Sequence, residues 1–268
     1  MAHQMLLTEQ RGRVAIATLN RPETLNAMHP VMLSELYGQV QTWNKDKSVG
    51  AIVVTGAGKG FCSGADVAGW GRNSGPGTDN ESNGQSAVSY EDWIAVASTA
   101  KPIIAAINGV AVGWGLTMAL ICDVRVASKE NGRLSARFIR AGVTPELGSS
   151  VMLPKIVGWG KSMEMMLTAR LYSAQESLEM GLVTHVYPHD QLIDEAVKLG
   201  AEIAFNPTHG LADVKRLLWA TVHDNCFEKA REREASTFRE AMQRPTFKEA
   251  TQSFLEKRQP DFHKAGMD

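Results

Sequence analysis

In the first half of the chain, short and nearly continuous apolar runs alternate with segments of three- and four-residue periodicity. The runs Met5-Leu6-Leu7, Val14 to Leu19, Ala51 to Thr55 and Pro102 to Ile107 read as buried strands. Residues 31–44 read as a helix that follows His29-Pro30 and carries Met32, Leu33, Leu36, Tyr37, Val40 and Trp43 on one face. Strands without a polar face, separated by amphipathic helices, predict an α/β fold whose sheet is covered on both sides. Beyond about residue 145 the helical period takes over, and helices are predicted near 147–156, 160–169, 173–180, 190–204, 208–222, 226–242 and 245–257. This divides the chain into a core, residues 1–205, and a C-terminal helical region, residues 206–268. No Pro/Ser-rich spacer separates a helical tail from the α/β part, so the tail reads as an appendage suited to assembly. Residues 71–86 contain no apolar anchor and predict a mobile surface loop, either a tolerated insertion or a lid over a substrate tunnel.

Length and charge narrow the picture. A chain of 268 residues hides roughly 70–75% of its unfolded surface on folding, enough for a core without disulfide or metal staples. Lys and Arg total 28 against 29 Asp and Glu, a net charge of −1, so no bulk positive field gathers nucleic acid or an anionic membrane. The three cysteines, Cys62, Cys122 and Cys226, are far apart and lack CxxC spacing, which argues against a disulfide framework and a zinc site. The seven histidines show no HxxE spacing. No apolar run reaches the roughly 18–20 residues of a membrane span, and Met1 to Arg11 lacks the apolar core of a signal peptide. A cytoplasmic globular protein with no membrane or nucleic-acid partner is the expectation, and its chemistry must lie in motifs.

Two glycine-containing turns each follow a buried strand: Gly60-Phe61-Cys62-Ser63-Gly64-Ala65-Asp66-Val67, and Ile107-Asn108-Gly109-Val110-Ala111-Val112-Gly113-Trp114-Gly115-Leu116-Thr117, which leads into an apolar helix. Small residues let backbone approach a ligand, and a helix start leaves N–H groups outside the helical ladder. Two such turns converging would aim two donors at one oxygen and stabilise an oxyanion. Gly113-Trp114-Gly115 lacks the full nucleotide-binding fingerprint and its acidic partner.

The pair of turns, with Leu19-Asn20-Arg21-Pro22-Glu23-Thr24-Leu25-Asn26-Ala27-Met28, Cys122-Asp123, Ala174 to Val183 and Phe254-Leu255-Glu256-Lys257-Arg258, resembles the crotonase (enoyl-CoA hydratase/isomerase) superfamily over nearly the whole chain. The resemblance implies a spiral of ββα units with a C-terminal helical region that trimerises, as a homotrimer or a dimer of trimers. It implies an acyl-CoA thioester as substrate, with CoA belonging to the substrate and no separate cofactor or metal. The thioester oxygen would sit between the backbone N–H groups of Ala65 and Trp114. Leu25, Ala27, Ser63, Gly64, Asp66, Val67, Gly113, Thr117 and Phe138 would contact substrate or CoA, while Phe254 and Lys257 would look toward the CoA nucleotide of a neighbouring subunit. Trp114 departs from the usual run of glycines at its position. Asp66 reads mainly as a holder of the oxyanion turn.

The side chains around the oxyanion hole decide the reaction. Hydratases of the superfamily carry one glutamate where this chain has Thr117 and a second where it has Phe138, so both hydratase carboxylates are missing. A carboxylate follows in Gly142-Val143-Thr144-Pro145-Glu146-Leu147-Gly148-Ser149-Ser150, and this looks like the Δ3,Δ2-enoyl-CoA isomerase branch, where a lone acid serves as the base. Moving a double bond from C3 to C2 of a thioester is a 1,3-proton transfer that one base can perform without water or a second acid. The same stretch also reads as a helix start, with Thr144 as N-cap, Pro145 at the first position and Glu146 in the first turn, where a carboxylate gains about 0.3–1 kcal/mol from the dipole. Other acyl-CoA chemistry at the same site, such as hydration, hydrolysis or dehalogenation, or acyl-CoA binding without turnover, stays open.

Overall fold

The computed structural model describes residues 4–66, 92–224 and 226–264. Strands β1 (Leu6–Arg11) and β2 (Val14–Leu19) form an antiparallel hairpin. After a 3-10 turn at Pro22–Thr24 comes α1 (Pro30–Lys45), with the His29 ring accepting the Val31 N–H as a cap. Three strand pairs follow. They are β3 (Ala51–Gly56) with β4 (Gly60–Cys62), β5 (Ile103–Ile107) with β6 (Val110–Val112), and β7 (Val124–Ser128) with β8 (Arg133–Ser135). Helices α2 (Asp92–Thr99) and α3 (Trp114–Ile121) separate these pairs. The first member of each pair joins the sheet β1-β2-β3-β5-β7, which β10 (His185–Tyr187) extends, and the second joins the sheet β4-β6-β8, which β9 (Tyr172–Ser173) extends. Each pair therefore steps from one sheet to the other, and the chain advances as a spiral.

The remaining elements are α4 (Ser149–Val157), α5 (Trp159–Thr168), β9 (Tyr172–Ser173), α6 (Ala174–Glu179), β10 (His185–Tyr187), α7 (Leu192–Ala204), α8 (Thr208–His223), α9 (Phe227–Met242) and α10 (Pro245–Glu256). The predicted helices match this series to within a few residues, with one shift: Ser173 caps α6 through a capping box with Glu176. The strands β4, β6, β8, β9 and β10 lie outside the expected runs, since two or three residues are too few to display a period, and so does β7, whose apolar run is broken by Arg125. Strand β4 and strand β6 occupy the beginnings of segments that read as turns.

The large sheet is buried on both faces because its side chains alternate between two cores. Ala15, Ala17, Leu19, Ile52 and Val54 point to the main core with α1 and α3, while Val14, Ile16, Val53, Ile104 and Val126 meet Leu192 and Ala196 of α7. The two edge strands depart from this: β1 exposes its polar residues Thr8 to Arg11, and β10 exposes His185. The C-terminal helices attach through the ion pair of Lys215 on α8 with Asp123, 2.7 Å, and through His263, whose ring meets the Ala204 carbonyl at 2.9 Å. Val67 and the anticipated loop at 71–86 lie outside the described residues.

Candidate active site

The first turn is shaped by the segment before α1. Leu25 and Asn26 both adopt positive φ, 52° and 58°, which folds residues 20–28 into a compact clamp. Buried Asn26 accepts the Arg21 N–H at 2.8 Å and donates to the carbonyls of Ala57 and Gly60 at 2.9 and 2.7 Å. Ser63 donates its N–H to the Leu25 carbonyl at 3.0 Å and its hydroxyl to the Thr24 carbonyl at 2.9 Å. Met28 then pairs with Ala65 as a single parallel bridge: Met28 N–H donates to Gly64 at 2.8 Å and Asp66 N–H donates to Met28 at 3.0 Å. Along extended backbone successive N–H groups point to opposite sides, so the Ala65 N–H is turned away from Met28.

The second turn leaves β6 at Gly113, φ 54°, whose N–H donates to Ser135 on β8 at 3.1 Å. The ladder of α3 opens with Thr117 N–H to Gly113 carbonyl at 3.0 Å, so the Trp114 amide stands ahead of it at the positive end of the helix. A Cβ built on Gly115 would lie 2.1 Å from the Cys62 carbonyl oxygen, and one on Gly64 would lie 3.3 Å from that of Val112. Glycine at 115 is thus a requirement of backbone contact. The two turns interlock, and the interlock brings Ala65, one residue past Gly64, beside Trp114, one residue before Gly115.

The carboxylate comes from the segment between β8 and α4. The Phe138 ring is buried, and its carbonyl accepts Ala141 and Val143 N–H groups, which rounds off a 3-10 turn at Ile139–Ala141. The helix expected over 147–156 spans Ser149–Val157, so the alternative reading with Thr144 as N-cap does not hold and Glu146 is not in its first turn. Leu147 and Gly148 take φ of 50° and 70°, which no helix accommodates, and the Glu146 carbonyl caps the turn by accepting the Ser149 N–H and hydroxyl at 2.9 and 2.7 Å. Gly148 lies against Ile94 of α2, and Trp93 of α2 donates to the Met118 carbonyl of α3 at 3.2 Å. The turn that follows Glu146 therefore touches α2, and α2 in turn is bonded to the helix that begins at Trp114. Glu146 is an exposed residue, yet partial desolvation by the protein around it raises its pKa above the ordinary glutamate value.

Other anticipated contacts fall into three groups. Ala27 and Thr117 are buried, and the Thr117 hydroxyl donates to the Gly113 carbonyl at 3.2 Å, so its polar atom serves the helix start. Leu25 is partly exposed above the first turn, and Asp66 pairs with Arg21 at 2.9 Å. Phe254 is 82% exposed near the end of α10, and Lys257, φ 55°, closes that helix; an exposed ring there is not packed into a site of its own chain. Arg21, Asn26 and Asn108 hold the turns without having been assigned that part. Asn108 accepts the Gly56 N–H and donates to the Gly58 and Gly60 carbonyls. Their position in the recurring motifs was the signal. Among the described residues no group of three His, Cys, Asp or Glu side chains could hold a metal ion, and no helix is long and apolar enough to cross a membrane.

Paired strands stepping between two sheets, with a helical C-terminal region, define the class as the crotonase fold. The chain matches the family model described as enoyl-CoA hydratase/isomerase over residues 9–265. It is similar to a probable enoyl-CoA hydratase of Rhizobium meliloti (strain 1021), 38% identical over 204 residues, covering 76% of this chain and 77% of the relative. Among solved structures it resembles enoyl-CoA hydratase subunit I of Geobacillus kaustophilus HTA426, with TM-score 0.87, 30% identity, and 97% and 98% of the two chains covered. It also resembles a monofunctional enoyl-CoA isomerase of M. smegmatis, with TM-score 0.72, 31% identity, and 85% and 99% covered. The chain belongs to the enoyl-CoA hydratase/isomerase family, and it is a crotonase-superfamily acyl-CoA enzyme of the hydratase/isomerase type.

Proposed function

We propose that the chain is a Δ3,Δ2-enoyl-CoA isomerase that works with one carboxylate. The observation that carries this reading is that Glu146 lies outside α4, on a segment whose following turn touches α2, and is raised in pKa by desolvation, while the hydratase positions are filled by a hydroxyl spent on Gly113 and a buried ring. The thioester oxygen is taken up between the Ala65 and Trp114 amides. Glu146 removes a proton from C2; the electron pair delocalises through the C3–C4 double bond and the thioester carbonyl, giving a dienolate whose oxyanion the two amides and the α3 dipole stabilise. The same carboxyl returns the proton to C4, which leaves the double bond at C2. No water, metal or cofactor besides the CoA moiety takes part.

The second reading, hydration, is favoured by the naming of most similar proteins as hydratases. It requires an acid that neither Thr117 nor Phe138 supplies. One experiment separates the two. Given a 3-enoyl-CoA, the purified protein is expected to yield the 2-enoyl isomer, and Glu146→Gln is expected to abolish this. Formation of a 3-hydroxyacyl-CoA from a 2-enoyl-CoA, or isomerase activity retained in Glu146→Gln, would overturn the proposal. We further propose that the chain acts as a homotrimer or a dimer of trimers, with Phe254 and Lys257 facing a neighbour's CoA.

A further inference from the structure

The clamp at residues 20–28 contains one charged contact whose position is unlike the others. The Arg21 guanidinium donates through Nη1 to the Ala27 carbonyl at 2.7 Å and pairs through the same atom with Asp66 Oδ2 at 2.9 Å. Ala27 precedes Met28 and Asp66 follows Ala65, so the two contacts flank the single bridge that turns the Ala65 N–H outward. Both side chains are largely buried, with 13% and 19% of their surface exposed, so the pair is only weakly screened by water. The Arg21 backbone is itself fixed: its N–H donates to Asn26 Oδ1, and its carbonyl accepts N–H groups of Thr24 and Asn26 and the Thr24 hydroxyl. The cation cannot follow a drifting carboxylate; the carboxylate must come to the cation. His29 also faces the pair, and burial together with Arg21 lowers its pKa, which keeps the imidazole neutral at neutral pH.

We infer that Arg21 is a positioning residue that sets the direction of the Ala65 oxyanion donor by anchoring Asp66 and the Ala27 carbonyl on either side of the Met28–Ala65 bridge. The inference rests on the proposed role of the Ala65 amide. A bridge of two hydrogen bonds leaves a strand free to rock about its own axis, and rocking swings the N–H that points outward. The Asp66 side chain, held from the clamp, removes that motion. A donor aimed badly loses much of its value at a developing oxyanion even when it remains present.

The test uses crotonyl-CoA carrying 13C at the thioester carbonyl, with the bound carbonyl stretch read by infrared difference spectroscopy, alongside turnover of the enoyl-CoA substrate. The wild-type protein is expected to shift the stretch to lower wavenumber. Arg21→Met is expected to lose at least half of this shift and to lower kcat about tenfold with KM changed less than threefold. Arg21→Lys should recover part of both, and Asp66→Asn should move in the same direction as Arg21→Met. A full shift and unaltered kcat in folded Arg21→Met or Asp66→Asn would overturn the inference. Asp66→Asn, which keeps the side-chain shape, decides the matter if Arg21→Met does not fold. Absence of any shift in the wild type would instead strike the role of the Ala65 amide, and the inference with it.

Discussion

The chemistry depends on what surrounds one carboxyl. Desolvation is the cause that raises the Glu146 pKa, and among the described residues no cation offsets it. A base works only when ionised, so the acid limb of kcat/KM against pH is expected above the ordinary glutamate value of 4.5, with activity rising as the pH passes through it. Glu146→Gln should lower kcat by about 10²–10⁴ and erase that limb. The stability sign is opposite to that of a paired carboxylate. A raised folded pKa means that ionised Glu146 costs the folded state free energy above that pKa, so Glu146→Gln should melt slightly higher than wild type at neutral pH. The gain should vanish as the pH falls and the wild-type carboxyl takes up its proton. Glu146 was legible as a candidate from its place in a recurring stretch, but so was its reading as a helix-start residue. The positive φ of Leu147 and Gly148 settles against the latter, and no propensity announces a left-handed leucine.

At the scale of elements, backbone contacts made through glycine and one buried ion pair hold the site. Gly115→Ala would drive a methyl group into the Cys62 carbonyl, and the start of α3 must then retreat from the first turn. The expected result is a loss of about 10² in kcat with destabilisation of about 1–3 kcal/mol, measured by turnover and urea unfolding. Lys215 is expected to matter for a different reason. Burial raises the Asp123 pKa although Lys215 acts to lower it, and the Ile103 N–H also donates to the same carboxylate at 2.7 Å. Lys215→Met leaves that carboxylate without its cation, which should cost about 3 kcal/mol at neutral pH. The deficit should shrink as the pH falls and Asp123 becomes protonated, because the removed lysine no longer holds it ionised. Urea unfolding at neutral and at mildly acidic pH checks the trend. The period of the sequence displayed the long helices and the five- or six-residue apolar strands well. It missed β4, β6, β8, β9 and β10, since strands of two or three residues are defined by partners, and it missed β7, whose second residue is the buried Arg125.

At the scale of the whole molecule, the C-terminal helices leave Val214, Leu218, Phe238 and Leu255 exposed beside Phe254, and a groove of about 600 Å³ between α8 and α9 is lined by Val214, Leu217 and Phe238. An apolar surface of this extent on one region calls for a covering partner. Light scattering is expected to give three or six times the 29.2 kDa chain mass, and Val214→Asp with Phe238→Asp should reduce it; a mass of one chain at micromolar concentration would refute the assembly. The sequence by itself determined the α/β class, the near-neutral charge that leaves an anionic ligand to local donors, the helical C-terminal half, and the family, because these follow from local period, composition and contiguous motifs. Tertiary structure alone decided that the two turns interlock, that Arg21 reaches Asp66, and that Glu146 stands outside its helix. Those facts depend on contacts between segments, and a backbone approach so close that a Cβ on Gly115 would fall 2.1 Å from the Cys62 carbonyl oxygen is written in no single segment.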